Sequence, residues 1–174
     1  EYNITSVKRF IIYKGTKRYI YDYNKSNMIY HYKFTNKDKI YRPKEQKGNK
    51  FLYFGEGLLI EGYEQLPKTG ELLIITKAYK DVLDYKLIDY NAISFNSESK
   101  DIPIEIIEEL QSRFKEVVVQ VDRDFTGKNM ANKLQNNHKF RILDIGDDTK
   151  DFSDYCKLFG LEKAKELINK LIEV

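Results

Sequence analysis

The sequence predicts an α/β fold: a mostly parallel sheet flanked by helices, preceded by a small, mostly β subdomain. Two observations carry this. From Leu72 onward, apolar runs alternate with segments of helical period, the pattern of a parallel sheet with helices on its faces. Before that, residues 9–42 hold short runs rich in Ile, Tyr and Phe, separated by turn residues. The 174 residues suffice for one core of normal size, or a domain with a small appendage. The division falls at 63/64, giving a subdomain 1–63 and a main domain 64–174.

The elements follow in order. Lys8–Tyr13, Arg18–Tyr23, Met28–Phe34 and Lys39–Tyr41 read as strands of an antiparallel meander, with turns at Lys14–Lys17, Asn24–Asn27 and Thr35–Asp38. Residues 43–70 carry Pro43, Gly48, Gly55, Gly57, Gly62, Pro67 and Gly70 and read as a loop-rich joint. Leu72–Thr76 is an apolar strand. Ala78–Tyr90 is a helix with Val82, Leu83, Leu87 and Tyr90 on one face, and Ala92–Phe95 is a second strand. Pro103 opens a helix with Ile107, Leu110 and Phe114 inward. Val117–Val121 is a third strand, Thr126–Asn136 its helix and Phe140–Ile145 a fourth strand. Helices over Asp151–Phe159 and Glu162–Ile172 close the chain, the last with a stripe of Ala164, Leu167, Ile168, Leu171 and Ile172.

Composition removes several function classes. No apolar run approaches the roughly 20 residues that span a bilayer, and no signal-peptide pattern is present. The single cysteine, Cys156, excludes an internal disulfide and a cysteine-rich zinc site. His31 and His138 are far apart in sequence. Gly55 and Gly57 do not extend to a dinucleotide fingerprint, and no P-loop occurs. The chain begins at Glu1 rather than Met, as a piece of a longer protein does.

The net charge of +3 hides a polarity. Residues 1–50 carry 13 Lys/Arg against 4 Asp/Glu, and the remainder carry 17 against 23. A basic section beside an acidic one suits a phosphate-binding surface joined to a metal-binding one. A Lys-, Asn-, Ile- and Tyr-rich composition from an AT-rich genome gives the same imbalance. In the basic section tyrosines alternate with cations: Tyr13, Arg18, Tyr19, Tyr21, Tyr23, Lys33, Tyr41 and Arg42. Rings beside cations suit a single-stranded nucleic acid, and an ordinary small sheet has the same residues.

The chemistry centres on Val117–Leu134, VVVQVDRDFTGKNMANKL. A β-branched run ends on Asp122-Arg123-Asp124. Gly127 and Lys128 follow, then Met130, Ala131 and Leu134 at helical spacing. Open α/β sheets place their sites at the carboxyl ends of strands. Asp122 and Asp124, two apart, can share a side, and two close carboxylates call for a cation such as Mg²⁺. A solvated turn after a core strand uses the same residue types.

Three stretches converge on this edge: Thr76-Lys77-Ala78-Tyr79-Lys80-Asp81, Asp122-Arg123-Asp124-Phe125-Thr126-Gly127, and Gly146-Asp147-Asp148-Thr149-Lys150-Asp151-Phe152-Ser153-Asp154. Over residues 64–174 this resembles the TOPRIM domain, a Rossmann-like sheet shared by bacterial-type DNA primases and type IA and II topoisomerases. The phage-encoded primases are the nearest likeness. The family pattern is a strand, Glu-Gly-x-x-Asp, a later strand with Asp-x-Asp and, in phage forms, Lys-Asp-x-x-Asp. DRDFTG and KDFSD match the second and third elements. Residues 1–63 resemble, more loosely, the section that precedes this domain in phage primases.

The resemblance implies the RNA polymerase core of a DNA primase, which makes short RNA primers on single-stranded DNA from NTPs with Mg²⁺ or Mn²⁺. It implies Asp122 and Asp124 as catalytic metal ligands, with Asp151 and Asp154 completing the cluster. Lys77, Arg123, Lys128 and Lys150 would contact phosphates. Asp81, one turn into its helix, is suited to orienting a neighbour, and Arg18, Tyr41 and Arg42 would grip template. A zinc-binding template reader and a replicative helicase would belong to the parent protein; this fragment holds no zinc. The location implied is the cytoplasm of a bacterium or phage-infected host, with no membrane partner.

One position departs from the pattern. Counting back from Asp81, the family's glutamate falls on Lys77 and its glycine on Ala78. Lysine cannot ligate Mg²⁺, though it can hold a phosphate. Glu98 could supply the acid instead, or Asp122 and Asp124 could hold the metal while Lys77 serves the triphosphate. The domain could also bind nucleic acid without catalysis. A TOPRIM nuclease is the alternative enzyme.

Overall fold

In the computed structural model, residues 4–14, 16–22, 28–95, 102–120, 125–146 and 149–173 are described, with backbone alone at 10, 12–14, 17, 19, 21, 22, 125 and 126. The chain forms two compact units, Glu1–Leu59 and Ile60–Val174.

The first unit is antiparallel. Strand β1 (Ile4–Ser6) lies at one edge. Strands β2 (Arg9–Lys14) and β3 (Lys17–Asp22) form a hairpin of their own. Strands β4 (Tyr30–Lys33), β5 (Lys37–Tyr41) and β6 (Phe51–Gly55) complete a sheet of order β1-β4-β5-β6. The single meander expected from the sequence is therefore two sheets. Tyr30 already pairs with Ser6 on one side and Tyr41 on the other, so β4 has no edge left for the hairpin. Strand β6 falls inside the expected loop-rich joint, where the run Phe-Leu-Tyr-Phe has high strand preference despite the glycines around it.

In the second unit, strands β7 (Ile60–Glu61), β8 (Gly70–Thr76), β9 (Ala92–Phe95), β10 (Phe114–Val119) and β11 (Arg141–Ile142) form a sheet of order β11-β10-β8-β9-β7. All neighbours are parallel except β7, which runs antiparallel to β9. Strands β8, β9 and β10 thus end on one edge. Helices α1 (Tyr79–Leu87), α2 (Ile104–Arg113), α3 (Phe125–His138), α4 (Phe152–Phe159) and α5 (Leu161–Ile172) cover the sheet.

Strand alternation divides the core. Leu73, Ile75, Val117 and Val119 pack with Ile107 and Leu110 of α2 and with Met130, Ala131 and Leu134 of α3. The opposite side chains, ending in Thr76, face α1 and α4. There Tyr85 and Phe152 stack with ring centroids 3.9 Å apart, both fully buried. The face of α1 differs from its sequence expectation. Tyr79, Asp81, Val82 and Tyr85 are buried, whereas Leu87 is 64% exposed. The helix starts one residue later than predicted and stops at Leu87, which is its last residue. Pro103 is the N-cap of α2 rather than its first helical residue, and Phe114 begins β10, where it is buried. Gly160, at φ +87° and ψ 162°, joins α4 to α5 in a conformation open only to glycine.

Candidate functional site

The three parallel strands end in a buried polar row. Register sets Thr76 beside Ser94, and Ser94 beside Glu61 of β7. Gln120 follows Val119, which pairs with Ile75, so it lies next to Thr76. All four are at most 2% exposed. They are hydrogen-bonded, as buried polar groups must be: the Ser94 hydroxyl donates to Glu61 Oε2 at 2.7 Å, and the Thr76 hydroxyl to Gln120 Oε1 at 3.2 Å. The Tyr85 hydroxyl donates to the same Gln120 oxygen at 3.3 Å. The edge is thereby fixed from below before any loop residue is considered.

Above it, the N-terminal turns of α1 and α4 are joined. Asp151 is the N-cap of α4, its Oδ1 accepting from the Asp154 N–H at 2.9 Å, which satisfies one orphan donor of the helix. Its Oδ2 accepts from Lys80 Nζ of α1 at 2.5 Å. Asp81 Oδ1 accepts from the Ser153 N–H at 3.0 Å, and the Ser153 hydroxyl donates to Asp84. Two carboxylates of α1 thus hold the first turn of α4, where its N–H groups and dipole favour negative charge.

The electrostatics follow from burial. Asp81 is 1% exposed, and its carboxyl is pushed up to about 6, first by loss of solvent and then by the charge of Asp151. Lys80 and the two Ser153 donors pull it down by less. Burial also raises Asp84, against the Ser153 hydroxyl. Burial works to lower the Lys80 ammonium, but the Asp151 hydrogen bond and the charges of Asp81, Asp151 and Asp154 outweigh it and leave Lys80 raised. The nearby Cys156 thiol is driven up to about 12, chiefly by burial, so it is no nucleophile.

Of the residues singled out by sequence, Asp122, Arg123, Asp124 and Glu98 lie outside the described residues. Lys77 follows Thr76 and is half-buried; Asp81 and Asp151 are buried; Asp154, Lys150 and Lys128 are exposed. Lys77, Asp81, Lys150, Asp151 and Asp154 all belong to the segments that open α1 and α4. In the first unit Arg18 is exposed on β3, and Tyr41 stacks on Phe51 with centroids 4.8 Å apart. Arg42 is only 4% exposed, its guanidinium turned to the Asn49 carbonyl and, at 3.7 Å, to Glu45. It braces the loop before β6.

Sequence reasoning passed over Thr76, Gln120, Lys80, Asp84, Ser153 and Glu61. Thr76 and Gln120 had a signal, since Thr76 is the polar residue that ends an apolar run and Gln120 is the polar residue within one. Lys80, Asp84 and Ser153 act through a contact between distant segments, which no local pattern carries.

Among the described residues no three His, Cys, Asp or Glu side chains gather as a metal site. Asp81 Oδ1 and both Asp151 oxygens are engaged by protein donors. The Asp154 carboxylate is exposed, and Asp122 and Asp124 lie outside the described residues.

No family model matches the sequence, and no curated protein matches it. Solved structures do. The primase fragment of the bacteriophage T7 primase-helicase aligns over 87% of this chain and 65% of its own, with TM-score 0.57 and 14% identity. The catalytic domain of DnaG primase, solved bound to single-stranded DNA, aligns over 87% and 53%, with TM-score 0.60 and 15% identity. A DNA primase domain from Pseudomonas aeruginosa aligns over 91% and 55%, with TM-score 0.62 and 14% identity. The chain spans less than two thirds of each of these structures. Its fold is that of a primase catalytic core: a parallel-rich sheet flanked by helices, with a small antiparallel region.

Proposed function

From that fold we propose that the chain is the RNA polymerase core of a phage-type DNA primase, joining NTPs into short RNA primers on single-stranded DNA. The observation that carries the reading is the primase-core fold, in which β10 ends on the edge where β8 and β9 also end and is followed in sequence by an Asp-x-Asp segment.

Asp122 and Asp124 hold the metal in this reading. Bound Mg²⁺ or Mn²⁺ supplies charge neutralisation at the attacking and leaving oxygens of an in-line displacement. The reaction forms a bond from the primer 3′-oxygen to the α-phosphorus of the incoming NTP and breaks the bond from that phosphorus to the bridging oxygen, releasing pyrophosphate. The chain positions and neutralises its reactants, which is most of the work in such transfers. Lys77, Arg123, Lys128 and Lys150 take the phosphates as point charges or forks. Asp81, Lys80 and Ser153 fix the start of α4, and with it Asp154, against the edge. The basic first unit meets the template. Among the described residues no helix is long and apolar enough to cross a membrane.

Lys77 in the place of the family glutamate favours a second reading, a non-catalytic nucleic-acid-binding module. Incubating the chain with single-stranded DNA and Mg²⁺, with and without labelled NTPs, separates the readings. New labelled RNA supports the primase. Shortened DNA without NTPs marks a nuclease instead, and DNA binding that ignores both metal and Asp122 marks the binding module.

A further inference from the structure

We infer that strand β6 is a dimerisation edge, which pairs antiparallel with β6 of a second copy of this chain. The sheet order β1-β4-β5-β6 leaves two edges. Strand β1 is three residues long, and shortness blunts an edge. Strand β6 is longer and reads Phe-Leu-Tyr-Phe-Gly over Phe51–Gly55, without a charge or a proline. Among the described strands it pairs with β5. Phe51, Tyr53 and Phe54 are 42%, 41% and 40% exposed, so both faces of the strand show rings to water. An apolar, uncharged edge of this kind invites pairing by another strand.

Hydrogen bonding limits the register. The Arg42 N–H donates to the Lys50 carbonyl at 2.7 Å. Bonded pairs alternate along an antiparallel ladder, so Leu52 and Phe54, opposite Ile40 and Asp38, bond to β5. The backbone of Phe51 and Gly55 then faces outward. Two such edges related by a two-fold axis must join outward residues to outward residues, which puts the axis at a residue rather than between two. Only an axis at Tyr53 overlaps the whole of β6 with its copy.

The sequence names the occupant, because Lys50-Phe-Leu-Tyr-Phe-Gly-Glu56 is complementary to itself about Tyr53. Each Phe51 lies opposite a Gly55 of the other copy, where an aromatic ring covers the bare backbone of an edge glycine. Each Leu52 meets a Phe54, and the two Tyr53 side chains lie next to each other. Just beyond the ladder, at both ends, a Lys50 faces a Glu56, an opposite-charge cross-strand pair. Moving the axis by one residue loses this, setting Lys50 against Phe54 or Glu56 against Leu52. The contact is isologous and closes at two copies, joining two four-stranded sheets into one of eight. It is one strand wide, so its area falls below the roughly 1,200 Å² of standard complexes, and the dimer is a reversible one that forms on the order of 10–100 µM. None of this rests on the primase reading.

Sedimentation velocity of the chain across a concentration series reads the equilibrium. The expected result is monomer passing into dimer, with no larger species. Lys50→Glu or Glu56→Lys alone sets like charges opposite each other at both ends of the ladder and should weaken association about tenfold. The two substitutions together restore opposite charges and should recover it. Both positions flank the ladder of β6, and an unchanged circular dichroism spectrum checks the fold. Tyr53→Lys brings two ammonium groups together at the axis and should leave monomer where the native chain is dimer. Monomer at every concentration, an assembly larger than two, native association in Tyr53→Lys or in the single reversals, or a double reversal as weak as either single one would overturn the inference.

Discussion

Asp81 makes the folded chain sensitive to pH in a direction opposite to most carboxylates, and Asp81→Asn isolates the effect. An ordinary aspartate near 3.8 is pushed here to about 6, because the side chain is 1% exposed and faces Asp151. Between those two values the folded chain holds a proton that the unfolded chain has released. Stability from this group is therefore fully present below about pH 4 and is lost as pH rises through about 6. The shift of about two units corresponds to about 3 kcal/mol. The amide of Asp81→Asn cannot ionise but keeps an oxygen for the Ser153 N–H. Relative to the native chain, the variant should gain about 3 kcal/mol between about pH 4 and pH 7, whatever its constant offset. Urea unfolding followed by circular dichroism across that range measures the difference. A difference that does not change with pH, or that moves in favour of the native chain as pH rises, would refute the reasoning.

Phe152→Ala removes a fully buried ring stacked on Tyr85 and should cost about 3–5 kcal/mol in thermal or urea unfolding. Gly62 sits at φ +88°, and an added Cβ would meet the Ala92 carbonyl oxygen and Val82 Cγ1 at 2.7 Å each. Gly62→Ala should therefore lower the urea midpoint, with a loss of about 1–3 kcal/mol or more from the contacts. Lys80→Met leaves the Asp151 carboxylate, 8% exposed, without its cation, and should cost about 1–2 kcal/mol. Much of that loss should vanish when Asp151→Asn is already present, a coupling that a double-mutant cycle reads directly.

The sheet was legible because its strands are fully buried runs. Leu72–Thr76, Ala92–Phe95 and Val117–Val121 each read as a strand from their apolar residues, and the strands observed there are Gly70–Thr76, Ala92–Phe95 and Phe114–Val119. The amphipathic stripe of α5 likewise shows Ala164 and Ile168 buried. What failed was set by partners distant in sequence. Strand β7 is two residues long and exists through its pairing with β9. Strand β11 shrinks to Arg141–Ile142, since only Val118 and Val119 offer it an edge. Leu87 looked inward by period, yet it is the last residue of its helix and is exposed. The site shows the same division. Asp151 stands out in the sequence as part of the KDFSD segment, but its ion pair with Lys80, 71 residues away, needs the fold. Glu61, buried against Ser94, sits in a Gly-rich stretch whose pattern carries no strand signal.

The most direct test of the primase reading is template-directed incorporation of labelled NTPs on single-stranded DNA with Mg²⁺ or Mn²⁺, comparing the native chain with Asp124→Asn. A zinc-binding template reader is supplied in the same reaction. The account predicts short RNA products from the native chain and their loss, with the circular dichroism spectrum unchanged, in Asp124→Asn. Products of equal yield from both chains, or none from the native chain, would contradict it.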